Sequence, residues 1–127
     1  MPPFRKMYRL EKTFHFEAGH ALKKHEGPCK TPHGHRYFVT LHLEFDSVQD
    51  AGPAKNMCQD FHEIKAAAKP LIDTYLDHQW LNDSLETDSP TAEFIAKWIF
   101  DRLRPKLPHL VGVSVEETAS CRASFFF

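Results

Sequence analysis

The run His33-Gly34-His35-Arg36-Tyr37-Phe38-Val39-Thr40-Leu41-His42-Leu43-Glu44-Phe45 leaves the chain few ways to fold. From Tyr37 onward the odd positions are all apolar, and three of the even ones, Thr40, His42 and Glu44, are polar. That period of two belongs to one face of an extended strand, so residues 33–46 read as a strand whose odd face is covered. His33 and His35 open the covered face, where an imidazole needs a partner. Two imidazoles two residues apart on a strand can face one ion. A third is available at His20, which follows Thr13-Phe14-His15-Phe16-Glu17-Ala18-Gly19 and comes alongside if the two segments pair antiparallel. Three neutral imidazoles with an open fourth position describe a catalytic zinc site better than a closed structural one.

The remaining elements follow from periodicity and punctuation. Residues 8–17 read as a first strand with Tyr8, Leu10, Phe14 and Phe16 on one parity, which His20 keeps. Residues 18–32 read as a loop marked by Gly19, Gly27, Pro28 and Pro32, and 47–59 as a connection. A helix is expected from Asp60, a capping residue with Glu63 three positions on, and Phe61, Ile64, Ala68, Leu71, Ile72 and Tyr75 form its apolar face. Pro70 removes one of its hydrogen bonds and is expected to kink or split it. Residues 77–83 then lead into a polar loop. A second helix is expected near Ser89-Pro90-Thr91, with a hydroxyl cap and a proline in the first turn, carrying Ala92, Ile95, Ala96, Ile99 and Leu103 inward until Pro105 and Pro108. Strands at 110–117, with Val111, Val113, Val115 and Glu117 on one parity, and at 121–127 complete the order ββααββ.

A chain of 127 residues fits one domain. A formal charge of -1 gives no basic footprint for nucleic acid and no polybasic membrane patch. No apolar run approaches membrane-spanning length, and residues 1–6 lack the apolar core of a signal peptide, so a cytoplasmic protein is expected. Cys29, Cys58 and Cys121 form no Cys-x-x-Cys pair and read as reduced thiols. Cys58 and Cys121 fit small, partly buried side chains. Cys29 lies in a polar loop beside Lys30, where cationic surroundings favour the thiolate.

Two further features carry chemistry. Glu117 ends the inward parity of its strand in a carboxylate, which either meets a cation of the protein or awaits a ligand offering paired N–H donors. Asp77 and His78 are adjacent at a helix end. They are either a solvent-facing pair or an acid/base pair in which the carboxylate, from this subunit or a neighbour, orients the imidazole. His15, His25, His42, His62 and His109 show no such coincidence and read as surface or core histidines.

Phe16-Glu17-Ala18-Gly19-His20, Cys29-x-x-x-His33-Gly34-His35, Asp60-Phe61, Leu76-Asp77-His78, Leu81-Asn82-Asp83, Pro90-Thr91-Ala92-Glu93 and Val113-Ser114-Val115-Glu116-Glu117-Thr118 occur in this order. As a set they resemble the 6-pyruvoyl-tetrahydropterin synthase / 6-carboxytetrahydropterin synthase family over residues 8–118. The resemblance implies the tunnelling fold, an α+β class in which a four-stranded antiparallel sheet carries two helices on one face. Residues 1–127 would form one such domain. It also implies a homo-oligomer built on trimers, usually two trimers face to face, and a 7,8-dihydroneopterin triphosphate substrate. By the same resemblance His20, His33 and His35 are zinc ligands, Cys29 is the general base, Asp77 and His78 are the second acid/base pair, and Glu117 anchors the pterin ring.

Cys29 stands four positions before His33, as in the carboxy-forming bacterial branch of queuosine biosynthesis, whereas the pyruvoyl-forming branch places it six before. The branch that serves folate synthesis tends to carry glutamate there. The implied reaction forms 6-carboxy-5,6,7,8-tetrahydropterin with acetaldehyde and triphosphate released. The alternatives are a pyruvoyl synthase and, from another class, a non-catalytic pterin- or zinc-binding module. Asn56-Met57 departs from the family's Gly-Met, and Ala119-Ser120-Cys121-Arg122 matches its last strand loosely.

Overall fold

The computed structural model describes residues 7–127; residues 1–6, read above for a leader, lie outside them. Four strands, β1 (Tyr8–His20), β2 (His33–Phe45), β3 (Leu110–Thr118) and β4 (Cys121–Phe126), form one antiparallel sheet in the order β1-β2-β3-β4. Three helices lie between β2 and β3: α1 (Phe61–Leu71), α2 (Leu81–Ser84) and α3 (Ala92–Leu103). Among the described residues no helix is long and apolar enough to cross a membrane.

The odd face of β2 is the centre of the core. Tyr37, Val39, Leu41 and Leu43 are fully buried against Phe16 of β1, Val113 and Val115 of β3, Ile64 and Ala68 of α1, and Ile95, Ala96 and Ile99 of α3. Each such side chain contributes about 1.5–3 kcal/mol by leaving water. The opposite face carries a rung of hydroxyls, Thr13, Thr40, Ser114 and Ser124, aligned by register across all four strands. Beside it His42 is buried and its Nε2 lies 2.8 Å from Ser114 Oγ.

The structure corrects the sequence expectation in several places. β1 continues to His20 instead of ending at 17, because Ala18, Gly19 and His20 pair with His35, Gly34 and His33. Gly19 fits closely there: a Cβ would come within 3.1 Å of the Trp80 ring, which would have to shift by a few tenths of an ångström. Helix α1 is capped by Asp60, which accepts from the His62 N–H, and Pro70 sits in its last turn. The regular α-helix ends one residue after Pro70. It passes into one π turn, Ile72–Leu76, closed by the Asp77 N–H donating to the Ile72 carbonyl at 2.8 Å. A π turn holds more residues than an α turn. It therefore turns Leu76 inward and leaves Tyr75 exposed, as Phe61 is at the other end.

Helix α2 is separate from α1 and falls at the end of the 77–83 stretch, which was expected only to lead into a loop. The cap of α3 is Thr91, whose hydroxyl accepts from the Phe94 N–H at 3.1 Å, so Pro90 precedes the helix and Ser89 is not its cap. In β3 an irregularity between the pairs His42–Gly112 and Leu43–Leu110 makes Val111 the extra residue and puts Leu110 in the core. Cys58 is half-buried, as expected, but Cys121 is exposed.

Candidate metal centre

The end of β1 and the start of β2 are adjacent because His20 and His33 are register partners. His20, His33 and His35 lie on the helix-covered face, and one ring nitrogen from each falls within 4.8 Å of the others. His20 is 1% exposed. Its Nδ1 donates to the Pro90 carbonyl at 2.8 Å, and His33 Nδ1 donates to the Thr31 carbonyl at 2.7 Å. Carbonyl oxygens only accept, so both Nδ1 atoms carry protons and both Nε2 atoms are left as lone pairs in the neutral rings. Those two Nε2 atoms are 2.9 Å apart. Lone pairs this close need a proton or a cation between them.

His35 sharpens this requirement. Its Nε2 lies 3.2 Å from Glu117 Oε2, yet the direction makes no hydrogen bond and the nitrogen is buried without one. Burial, opposed by the Pro90 carbonyl and reinforced by His33, holds the His20 pKa below its ordinary value, which keeps the ring neutral and able to ligate. Three convergent imidazole nitrogens, two with their other nitrogen bonded to a backbone carbonyl, match the donor set and outer support of a His₃ zinc site. Tyr37, fully buried, puts its hydroxyl 3.1 Å from His20 Nδ1. Burial and the Glu117 charge push its pKa well above the usual phenol range.

Glu117 keeps the parity of Val115 and so faces this cluster; against β4 it is the extra residue, because Glu116 pairs with Arg122 and Thr118 with Cys121. Glu116 takes the ordinary role of an ion pair with Arg122 at 3.0 Å. Cys29 sits in the 3-10 turn Pro28–Lys30, half-buried, and its thiol is outside the cluster of converging ligand atoms.

Asp77 and His78 lie elsewhere on the chain. Asp77 Oδ1 accepts from the Glu17 N–H at 3.1 Å, and the His78 N–H donates to the Glu17 carbonyl at 2.6 Å. His78 adopts a left-handed backbone, φ 58°, and its Nδ1 is 3.0 Å from Asp77 Oδ2. The Glu17 N–H and then His78 hold the Asp77 pKa below the usual carboxylate value, so it is ionised and can orient the ring. The pair lines a cavity of about 380 Å³ with His15, Glu17, Arg36 and Lys69, and none of the three clustered histidines nor Cys29 lines it. Asn82, which holds the residue after His20, stands in the quoted motif Leu81-Asn82-Asp83, but its type and spacing assign it no role there.

A family model described as 6-pyruvoyl tetrahydropterin synthase matches residues 9–126. A 6-carboxy-5,6,7,8-tetrahydropterin synthase of Synechocystis is 41% identical over 121 residues, covering 94% of each chain. One of Bacillus subtilis is 30% identical over 124 residues, covering 87% of this chain and 80% of its own. The solved 6-pyruvoyl tetrahydropterin synthase of Caenorhabditis elegans superposes with a TM-score of 0.83 over 97% of both chains at 23% identity, which shows the shared fold. The motifs, the tunnelling fold and these matches agree: the chain belongs to the 6-pyruvoyl tetrahydropterin synthase family.

Proposed function

We propose that this chain is a zinc-dependent lyase that converts 7,8-dihydroneopterin triphosphate and one water to 6-carboxy-5,6,7,8-tetrahydropterin, releasing acetaldehyde and triphosphate, in cytoplasmic queuosine biosynthesis. The observation that carries the reading is the convergence of His20, His33 and His35, with the Nε2 atoms of His20 and His33 2.9 Å apart and both Nδ1 protons committed to carbonyls. Zinc held by these rings would supply a Lewis acid for charge developing on the substrate's side-chain oxygens. Two observations support the carboxy-forming branch: the four-residue step from Cys29 to His33 and the printed names of the relatives at 41% and 30% identity.

The protein's own groups then divide the work. Cys29, in the turn Pro28–Lys30 four residues before His33, removes a proton from the side-chain carbon. Glu117 accepts from the N–H edge of the pterin, its carboxylate remaining 25% exposed and open to a ligand. Asp77 orients His78, which carries the second proton. The exposure of the His78 ring, 77%, and a cavity that lacks the histidine cluster support completion of the site by a neighbouring copy, and the family resemblance supplies the form, a trimer-based homo-oligomer with a hexamer favoured. A Cys29→Ala protein is expected to keep zinc and pterin and lose turnover; full activity in it would remove the thiol from the mechanism.

A further inference from the structure

We infer that Asn82 is a positioning residue for His20, holding the imidazole where the metal cluster needs it; this rests on reading His20 as a metal ligand. Asn82 is 5% exposed, although it stands in the polar stretch that leads into a loop. Its Oδ1 accepts from the Ala21 N–H at 2.9 Å, and its Nδ2 donates to the Ala21 carbonyl at 2.8 Å. Because one backbone group only donates and the other only accepts, the orientation of the carboxamide is fixed.

Ala21 directly follows His20, the last residue of β1, and the ladder between β1 and β2 ends at the pair His20–His33. Beyond that rung the backbone has no strand partner, and strand ends without one fray. The Asn82 carboxamide takes the place of a neighbouring strand. It closes a strap along the outer edge of β1: the Glu17 N–H donates to Asp77 Oδ1, the His78 N–H to the Glu17 carbonyl, the Gly19 N–H to the Gln79 carbonyl, and Ala21 is held by Asn82. The residues held are 17, 19 and 21, the alternate positions whose backbone groups point away from β2. His20 lies between the last two clamps, so its backbone cannot move away from Pro90 without breaking one, and the ring starts from a fixed Cα when it bonds the Pro90 carbonyl. The same strap fixes Asp77 and His78 against β1.

The test compares the unaltered protein with Asn82→Leu, which keeps the volume and removes both bonds, and Asn82→Asp, which keeps the acceptor and loses the donor. Zinc affinity is measured by competition with a chromophoric chelator, and the visible spectrum of the cobalt-loaded protein reports ligand geometry. The expected result is a zinc dissociation constant raised about 10–100-fold in the folded Leu variant, with altered cobalt bands, as for other residues that support a metal ligand. The Asp variant is expected to be weakened as well, and it decides the matter if the Leu variant does not fold. A lower melting temperature with unchanged zinc affinity and cobalt spectrum would overturn the positioning role. Absence of zinc binding in the unaltered protein would overturn the metal reading itself, and this inference with it.

Discussion

Replacing His33 with alanine separates what the histidine cluster does for metal from what it does for the fold. Zinc at one hundred times its dissociation constant stabilises a protein that binds it only when folded by about 2.7 kcal/mol. For a chain of this length, about 3–5 °C of melting temperature corresponds to 1 kcal/mol, so the unaltered protein gains about 10 °C. The alanine variant keeps two imidazoles and loses most of that gain. Without metal the substitution costs little: His33 is half-buried, and its Nδ1 bonds the carbonyl of the exposed Thr31, which water can reach. It also removes a lone pair that lies 2.9 Å from His20 Nε2. The metal-free variant therefore melts within about 1 kcal/mol of the unaltered protein. The assay is thermal unfolding with chelator and with zinc, on both proteins. An undiminished zinc response in the variant, or a metal-free loss above about 2 kcal/mol, would refute the reasoning.

Three further outcomes are expected. Thr91→Ala removes the hydroxyl that caps α3 and is expected to cost about 1 kcal/mol in urea unfolding, with zinc binding unchanged. Ile99→Ala, in a fully buried position of α3, is expected to cost about 2–5 kcal/mol, and a loss below 1 kcal/mol would place that helix face outside the core. Burial, partly offset by Glu11, holds the His42 pKa below its ordinary value, so the folded chain binds fewer protons than the unfolded one in mild acid. Its contribution is complete above about pH 6.5 and is lost as pH falls towards the folded pKa; His42→Gln should flatten the fall in unfolding midpoint between pH 7 and pH 5, and an unchanged slope would exclude this histidine as its source.

The strands and the histidine cluster were legible because period-two alternation dictates both the element and the face. Parity put His20, His33, His35, Val115 and Glu117 on one side, and the structure keeps them there. What escaped depends on groups distant in sequence. Asn82 and Ala21 are separated by 61 residues, so nothing local distinguishes this buried amide from a solvated one. The inward turn of Leu76 follows from a π turn, which leaves no periodic mark in so short a stretch. Val111 drops out of the inward series because an irregular pairing shifts the phase of β3, and an alternating Val-x-Val-x-Val pattern conceals that shift. One departure from the family pattern has a physical account. Asn56 stands where the family has glycine and has φ 66°, a left-handed conformation that asparagine tolerates better than most residues.

The central claim is tested most directly by product analysis: purified, zinc-loaded protein is incubated with 7,8-dihydroneopterin triphosphate while pterin mass and released acetaldehyde are followed together. The account predicts 6-carboxy-5,6,7,8-tetrahydropterin with acetaldehyde. A pyruvoyl product without acetaldehyde would move the chain to the sister activity, and unchanged substrate with the pterin bound would contradict the lyase reading.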